Sequence, residues 1–239
     1  KILLSKEKPW GVILFKRNLR SIKQIKNLTF NIRYLTKDTK FPIIIDEEGE
    51  EVSRLSNILN HNISASYFGN LFKKNKDFTS KIYKEYLFSL CKIINDLGIN
   101  INTIPVLDVL RKNTHKVIGN RSFSRDKKIV KELGKLTLKY LHKKKISGII
   151  KHIPGHGAAK VDSHKKLPKV HLNLKQLNKI DFYPFKLSNA KFAMTAHILY
   201  TKIDTSNPAT QSKKIIKKII RKKLGFKGIL ISDDISMKA

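Results

Sequence analysis

The stretch KHIPGHGAAKVDSHKKLP, residues 151–168, holds three of the chain's eight histidines: His152, His156 and His164, with Asp162 two residues before the last. Histidine is the side chain that most readily changes charge near neutral pH. A cluster of it around a Pro-Gly turn points to a metal site, proton transfer or sugar binding. His152 and His156 are four apart, but Pro154 and Gly155 lie between them, so they cannot share a helical zinc-binding face. No Glu follows the first His as in HExxH, and the single cysteine, Cys91, is far away in sequence. No metal and no cofactor are therefore expected. His156, inside the PGHG turn, reads as a satisfied structural histidine, and His152 as a functional one. Asp162 and His164 leave two readings open. The acid can orient the imidazole and stabilise its protonated form, or the pair can be part of a polar surface turn.

A second acidic site follows the apolar run GILI, where Asp233 and Asp234 are adjacent. Neighbouring residues on a strand point to opposite faces, so only one of the two carboxylates can face a central pocket. A Ser/His/Asp esterase is excluded for want of a G-x-S-x-G elbow. Asp46, Asp108, Lys151 with His152, His197 and Asp233 each lie at or near the C-terminal end of a different apolar run.

Those runs are the elements that must position the chemistry. GVILF (11–15), FPIIID (41–46), INTIPVLDV (101–109), SGIIKHIPG (147–155), AKFAMTAHILY (190–200) and GILISDD (228–234) read as strands. Between several of them the apolar residues recur at helical spacing: Leu19 to Leu35, Ile82 to Leu97 ending at Gly98, Ile129 to Tyr140 after Asp126, and Ile215 to Leu224 between Ser212 and Gly225. Near-continuous apolar strands alternating with helices indicate a parallel sheet buried on both faces. Neither GxGxxG nor a P-loop follows the first run. Five strand ends contributing to one site favour a TIM-like (β/α)8 barrel over a doubly wound sheet. The length of 239 residues is close to that fold's roughly 250, and no repeat or linker divides residues 1–239, so one barrel domain is expected.

The net charge is +32. The lysines fill the outer faces of amphipathic helices such as SKKIIKKIIRKKLGF (212–226), and no aromatics interleave with the basic runs to stack bases. They read as solvated faces, and no nucleic-acid partner is expected. No apolar run reaches the roughly 18–20 residues of a membrane span. One cysteine fits a reducing compartment, so a cytoplasmic location is expected.

KHIPGHG followed by DSH, with SDDISMKA downstream, resembles the bacterial β-N-acetylglucosaminidases of glycoside hydrolase family 3, which act in peptidoglycan recycling. GVILFKRN (11–18), IIIDEEGEEVSRL (43–55), PVLDV (105–109), GNRSFSRD (119–126), IDFYPF (180–185), MTAHILY (194–200) and GFKGILISDD (225–234) extend the likeness along the chain in the family's order. The resemblance implies a retaining, two-step hydrolysis of terminal β-linked N-acetylglucosamine from a saccharide or muropeptide; a monomer is expected. By the same resemblance Asp233 is the nucleophile, His164 the general acid/base and Asp162 its partner. Asp46, Arg54, Arg121, Lys151 and His152 grip the sugar, and His197 sits in a strand-end motif near the pocket. It also implies that the six strands are the second to seventh of eight, with the first strand and the last strand-helix unit lacking. Glu50, Glu51, Asn120 and Ala158 depart from the family pattern; none removes a catalytic group. The competing readings are a family 3 glycosidase with another sugar preference and a catalytically inactive basic binding protein.

Overall fold

A computed structural model describes residues 3–163, 166–186 and 190–237. Its centre is a six-stranded, all-parallel sheet formed by β1 (Val12–Leu14), β2 (Ile43–Ile45), β5 (Ile101–Asn102), β6 (Ser147–Ile153), β8 (Phe192–Thr195) and β10 (Ile229–Ser232), in the spatial order β1-β2-β5-β6-β8-β10. Two small pairs flank it. β3 (Glu47–Gly49) and β4 (Val52–Ser53) form an antiparallel hairpin, and β7 (Lys169–Val170) pairs in parallel with β9 (Leu199–Tyr200). Strand order follows chain order with helices in the connections, so the sheet is a partial TIM-like barrel.

The period-2 alternation of the strands explains both layers of the core. Ile43, Ile45, Ile150 and Ala193 point outward into the large cluster shared with the helices. Ile44, Ile101, Ile149 and Met194 point inward and pack together, with Phe192 and Ile231 against them. The outer layer is covered by α1 (Ile22–Thr36), α2 (Ala65–Lys74), α3 (Lys76–Asp96), α4 (Lys127–Lys143), the short α5 (Leu174–Lys179) and the helix Ile215–Lys223. Polar side chains set where these begin. Ser21 accepts from the Gln24 amide, Asp126 from that of Lys128 and Ser212 from that of Ile215.

Three elements differ from the sequence expectation. Residues 101–109 form only a two-residue strand, because Pro105 has no N–H to continue the ladder. The segment still follows β6: Pro105 O accepts from Lys151 N, and Leu107 N donates to Lys151 O. Residues 190–200 divide into β8 and β9, which belong to different sheets. The Ile215–Lys223 helix is wound in π fashion, Leu224 N reaching five residues back to Ile219 O.

β1 and β10 are the sheet's two edges. Trp10 and Ile229 are each 49% exposed beside them. Unpaired, apolar edges are templates for association. Residues 1–239 expressed on their own are therefore expected to be poorly soluble or to associate, and Ile229→Lys to raise soluble yield. Light scattering showing a stable, fully soluble monomer would contradict this.

Candidate active site

The inward register carries the chemistry to one end of the sheet. Two residues beyond inward-facing Ile44, Ile149 and Ile231 stand Asp46, Lys151 and Asp233, on the same face by strand alternation. They meet in a cleft of about 920 Å³ whose walls include Asp46, Glu48, Arg54, Arg121, Lys151, His152 and Asp233, and whose floor is the inner apolar layer.

One wall is a network of opposite charges. Asp46 accepts from Arg54 Nη2 at 2.8 Å, Thr103 Oγ1 at 2.5 Å and Lys151 Nζ at 3.3 Å. Lys151 Nζ also donates to Thr103 Oγ1 at 2.8 Å and lies 2.5 Å from Glu48 Oε1. Arg121 grips both Glu48 oxygens, Nε to Oε2 at 2.8 Å and Nη2 to Oε1 at 2.9 Å. Burial opposes the ionisation of both acids, but the cations outweigh it. Asp46 is held well below the usual carboxylate range by Lys151, Thr103 and Arg54, and Glu48 is lowered to about 2 by Arg121 and Lys151. Desolvation likewise opposes the Arg121 charge, yet Glu48 raises its pKa further. Arg54 Nε is buried with no hydrogen-bond partner among the described residues.

The second wall is built on Asp108, fully buried beyond the Pro105 segment. Its Oδ2 accepts from His152 Nδ1 at 2.6 Å, and its Oδ1 accepts the His156 N–H at 2.6 Å and the His152 N–H at 3.3 Å. Burial alone would raise the Asp108 pKa, but His152 and His156 bring it below the ordinary value. With Nδ1 engaged, His152 presents Nε2 toward Asp233, 4.0 Å from Oδ2. The PGHG turn fits here only with glycine. Gly155 has φ +139, and a Cβ on Gly157 would lie 1.9 Å from Val109 O.

His156 is 3% exposed, and desolvation lowers its pKa from 6.5 to about 4. The unfolded chain thus binds a proton between those values that the folded chain does not, so stability falls as pH falls through this window. Acidification is expected to remove about 3 kcal/mol through this group alone. His156→Gln should flatten the melting-temperature profile between pH 6.5 and 4. An unchanged acid slope would show that the histidine titrates normally.

Asp162 is half-buried, and its carbonyl accepts from Lys166 N. His164 lies outside the described residues. Between them Ser163 is 4% exposed, lines the cleft, and lies with Oγ 3.4 Å from His156 Nε2, so the loop reaches the site. His197 follows β8 and does not line the cleft. Its Nδ1 meets Thr210 Oγ1 at 2.8 Å and its Nε2 the Asp234 carbonyl at 3.1 Å, so it holds the backbone next to Asp233. Asp234 itself turns to Ser236, accepting from its N at 2.9 Å and its Oγ at 2.7 Å. Sequence reasoning did not place Glu48 or Thr103 in the site, and it set Asp108 among the strand ends that contribute to the site without giving it a role.

Comparison with known proteins agrees with this architecture. The family model described as "Glycosyl hydrolase family 3 N terminal domain" matches residues 1–239. A β-hexosaminidase of Neisseria gonorrhoeae is 34% identical over 95% of this chain, and β-hexosaminidase A of Pseudoalteromonas piscicida is 32% identical over 98%. The chain spans 63% and 42% of those two proteins. Among solved structures, native NagZ from Neisseria gonorrhoeae superposes with a TM-score of 0.89 at 34% identity, covering 95% of this chain and 67% of that one. A family 3 β-N-acetylglucosaminidase from a Paenibacillus species gives 0.88 at 28% identity, covering 99% and 45%. With a model match along its whole length, the chain belongs to the N-terminal domain family of the family 3 glycosyl hydrolases.

Proposed function

We propose that this chain carries the active site of a retaining exo-β-N-acetylglucosaminidase acting on muropeptides in the cytoplasm, in peptidoglycan recycling. The observation that carries the reading is the Asp233 carboxylate at the end of β10, 4.0 Å from His152 Nε2 and sharing a cleft with Asp46, Arg54, Arg121 and Lys151. An attacking carboxylate opposite donors for sugar hydroxyls is what glycoside hydrolysis needs. In the proposed first step Asp233 attacks the anomeric carbon, the bond to the leaving oxygen breaks, and His164 gives that oxygen its proton. In the second the neutral imidazole takes a proton from water, the resulting hydroxide attacks the same carbon, and Asp233 is released. Asp162 stabilises the imidazolium.

Arg54, Arg121, Lys151, Asp46 and His152 supply charge-assisted hydrogen bonds to hydroxyls and the acetamido group. The Arg54 side chain, 30% exposed, lines the cleft beside Asp46 and presents its guanidinium there. His197 acts by holding the Asp234 carbonyl, and so the turn that carries Asp233. The curated relatives named β-hexosaminidase support this sugar class. The test is hydrolysis of a chromogenic β-N-acetylglucosaminide beside the matching β-glucoside. Turnover of the first alone is expected; turnover of the glucoside alone, or of neither, would refute the reading.

A further inference from the structure

The hairpin that brings Asp46 and Glu48 to the cleft carries Glu47 between them, and strand alternation turns Glu47 away from the cleft into the protein. There it is fully buried. Its Oε2 accepts the backbone N–H groups of Arg54 at 2.8 Å and Leu55 at 3.0 Å; its Oε1 accepts Ser53 Oγ at 2.7 Å and meets His61 Nδ1 at 2.6 Å. His61 Nε2 in turn lies 2.5 Å from Tyr86 Oη, on α3. Burial, and then the neighbouring Tyr83 and Glu47, hold the Tyr86 phenol far above its usual pKa. Its O–H stays protonated and donates to Nε2, and Nδ1–H donates to Glu47. Neither His61 nor Tyr86 lines the cleft, yet His61, itself bonded to Tyr86, anchors the carboxylate that accepts from Ser53 Oγ and the Arg54 and Leu55 amides.

We propose that Glu47, His61 and Tyr86 form a positioning unit that fixes Arg54 over the sugar site. The chain of bonds runs from a long helix through an imidazole to a buried carboxylate, and from there to the Arg54 main chain. The guanidinium can then meet Asp46 at 2.8 Å at the wall of the cleft. A buried carboxylate with four donors is a rigid anchor, because leaving any donor unpaired costs its desolvation. Without the unit, residues 53–55 lose their anchor and Arg54 its fixed place. Arg54 then binds the sugar less well in the ground state and the transition state alike, which raises KM and spares kcat.

The kinetic arm of the test rests on the proposed glycosidase reading; a second arm does not. In the full chain, Glu47→Ala should raise KM for a nitrophenyl β-N-acetylglucosaminide by about ten- to a hundredfold, with kcat within about threefold. Glu47→Gln should bring KM back to within about threefold, since its carbonyl oxygen still accepts from Arg54 and Leu55 while its amide donates to Ser53 Oγ and, once His61 takes the Nε2–H tautomer with Tyr86 Oη accepting, to Nδ1. Tyr86→Phe removes one hydroxyl only and should shift KM in the same direction by less, which keeps the test decisive if Glu47→Ala does not fold. Native-state hydrogen exchange supplies the arm independent of activity: the Arg54 and Leu55 amides should exchange faster in Glu47→Ala, or in Tyr86→Phe, than in the parent chain. If the parent chain does not turn over the substrate, the glycosidase reading fails and the exchange result alone decides. Unchanged protection of both amides, or a fall in kcat with KM unmoved, would overturn the positioning role.

Discussion

Asp233→Ala is expected to abolish turnover of an aryl β-N-acetylglucosaminide, with a loss on the order of 10⁴-fold or more, and to leave the fold intact. The reason lies in how the two adjacent acids are used. Asp234 is consumed by the turn: its Oδ1 caps Ser236, and its carbonyl is held by His197. Asp233 commits Oδ1 to the Asp234 N–H at 2.9 Å and keeps Oδ2 toward His152, with its side chain 22% exposed to the cleft. Asp233 therefore has a lone pair available for attack and little buried bonding to lose. Its replacement should leave the melting temperature within the range of surface substitutions. A ring-fluorinated N-acetylglucosaminyl fluoride, which slows hydrolysis of the covalent intermediate, should label Asp233, as read by peptide mass spectrometry. Label on Asp234 would reverse the assignment within the pair.

How far the site was legible depended on whether its signal was local. Asp46, Lys151 and Asp233 could be found because each ends an apolar β-branched run, and a two-residue step from Ile44, Ile149 or Ile231 puts each on the inner face. The strands themselves were legible from their β-branched apolar runs, which are fully buried in β2 and partly exposed in the edge strands β1 and β10. The β3–β4 hairpin was not legible. EEGEEVS has no apolar pattern, and what holds it is distant in sequence. The Asn102 side chain accepts the Glu47 N–H at 3.0 Å and donates to the Glu47 carbonyl at 2.8 Å, and His61 reaches back to the Glu47 carboxylate. Glu48 was invisible as a ligand of Arg121 and Lys151, because pairings 73 and 103 residues apart follow from the curl of the sheet. Asp108 showed itself as a polar strand-end residue, but its three bonds to the 152–156 segment require knowing that the Pro105 stretch runs beside β6. In Ile215–Lys223 the apolar residues recur at steps of four to five residues, which reads as a helix in the sequence, and the shift from α to π winding shows only in the hydrogen bonds.

The second large effect belongs to the loop after the PGHG turn. His164→Ala and Asp162→Ala are each expected to slow hydrolysis of a substrate with a poor leaving group by roughly 10²–10⁴-fold. The double variant should be little slower than the slower single one, because a carboxylate that only stabilises an imidazolium has nothing left to stabilise once the imidazole is gone. The loop is suited to this work. Ser163, between the two residues, is buried against His156 at the cleft wall, while Asp162 is half-buried and the 160s carry several lysines. Ser163 thus ties the segment that carries Asp162 to the cleft wall. The leaving group separates proton donation from other causes of slow turnover. A dinitrophenyl glycoside departs without a proton, so His164→Ala should recover most of the first step on it, and the slow second step should then appear as a burst of released phenol. Asp233→Ala should recover nothing on the same substrate. Additive losses in the double variant would mean that the two residues act separately, and equal losses on both leaving groups would remove His164 from proton transfer.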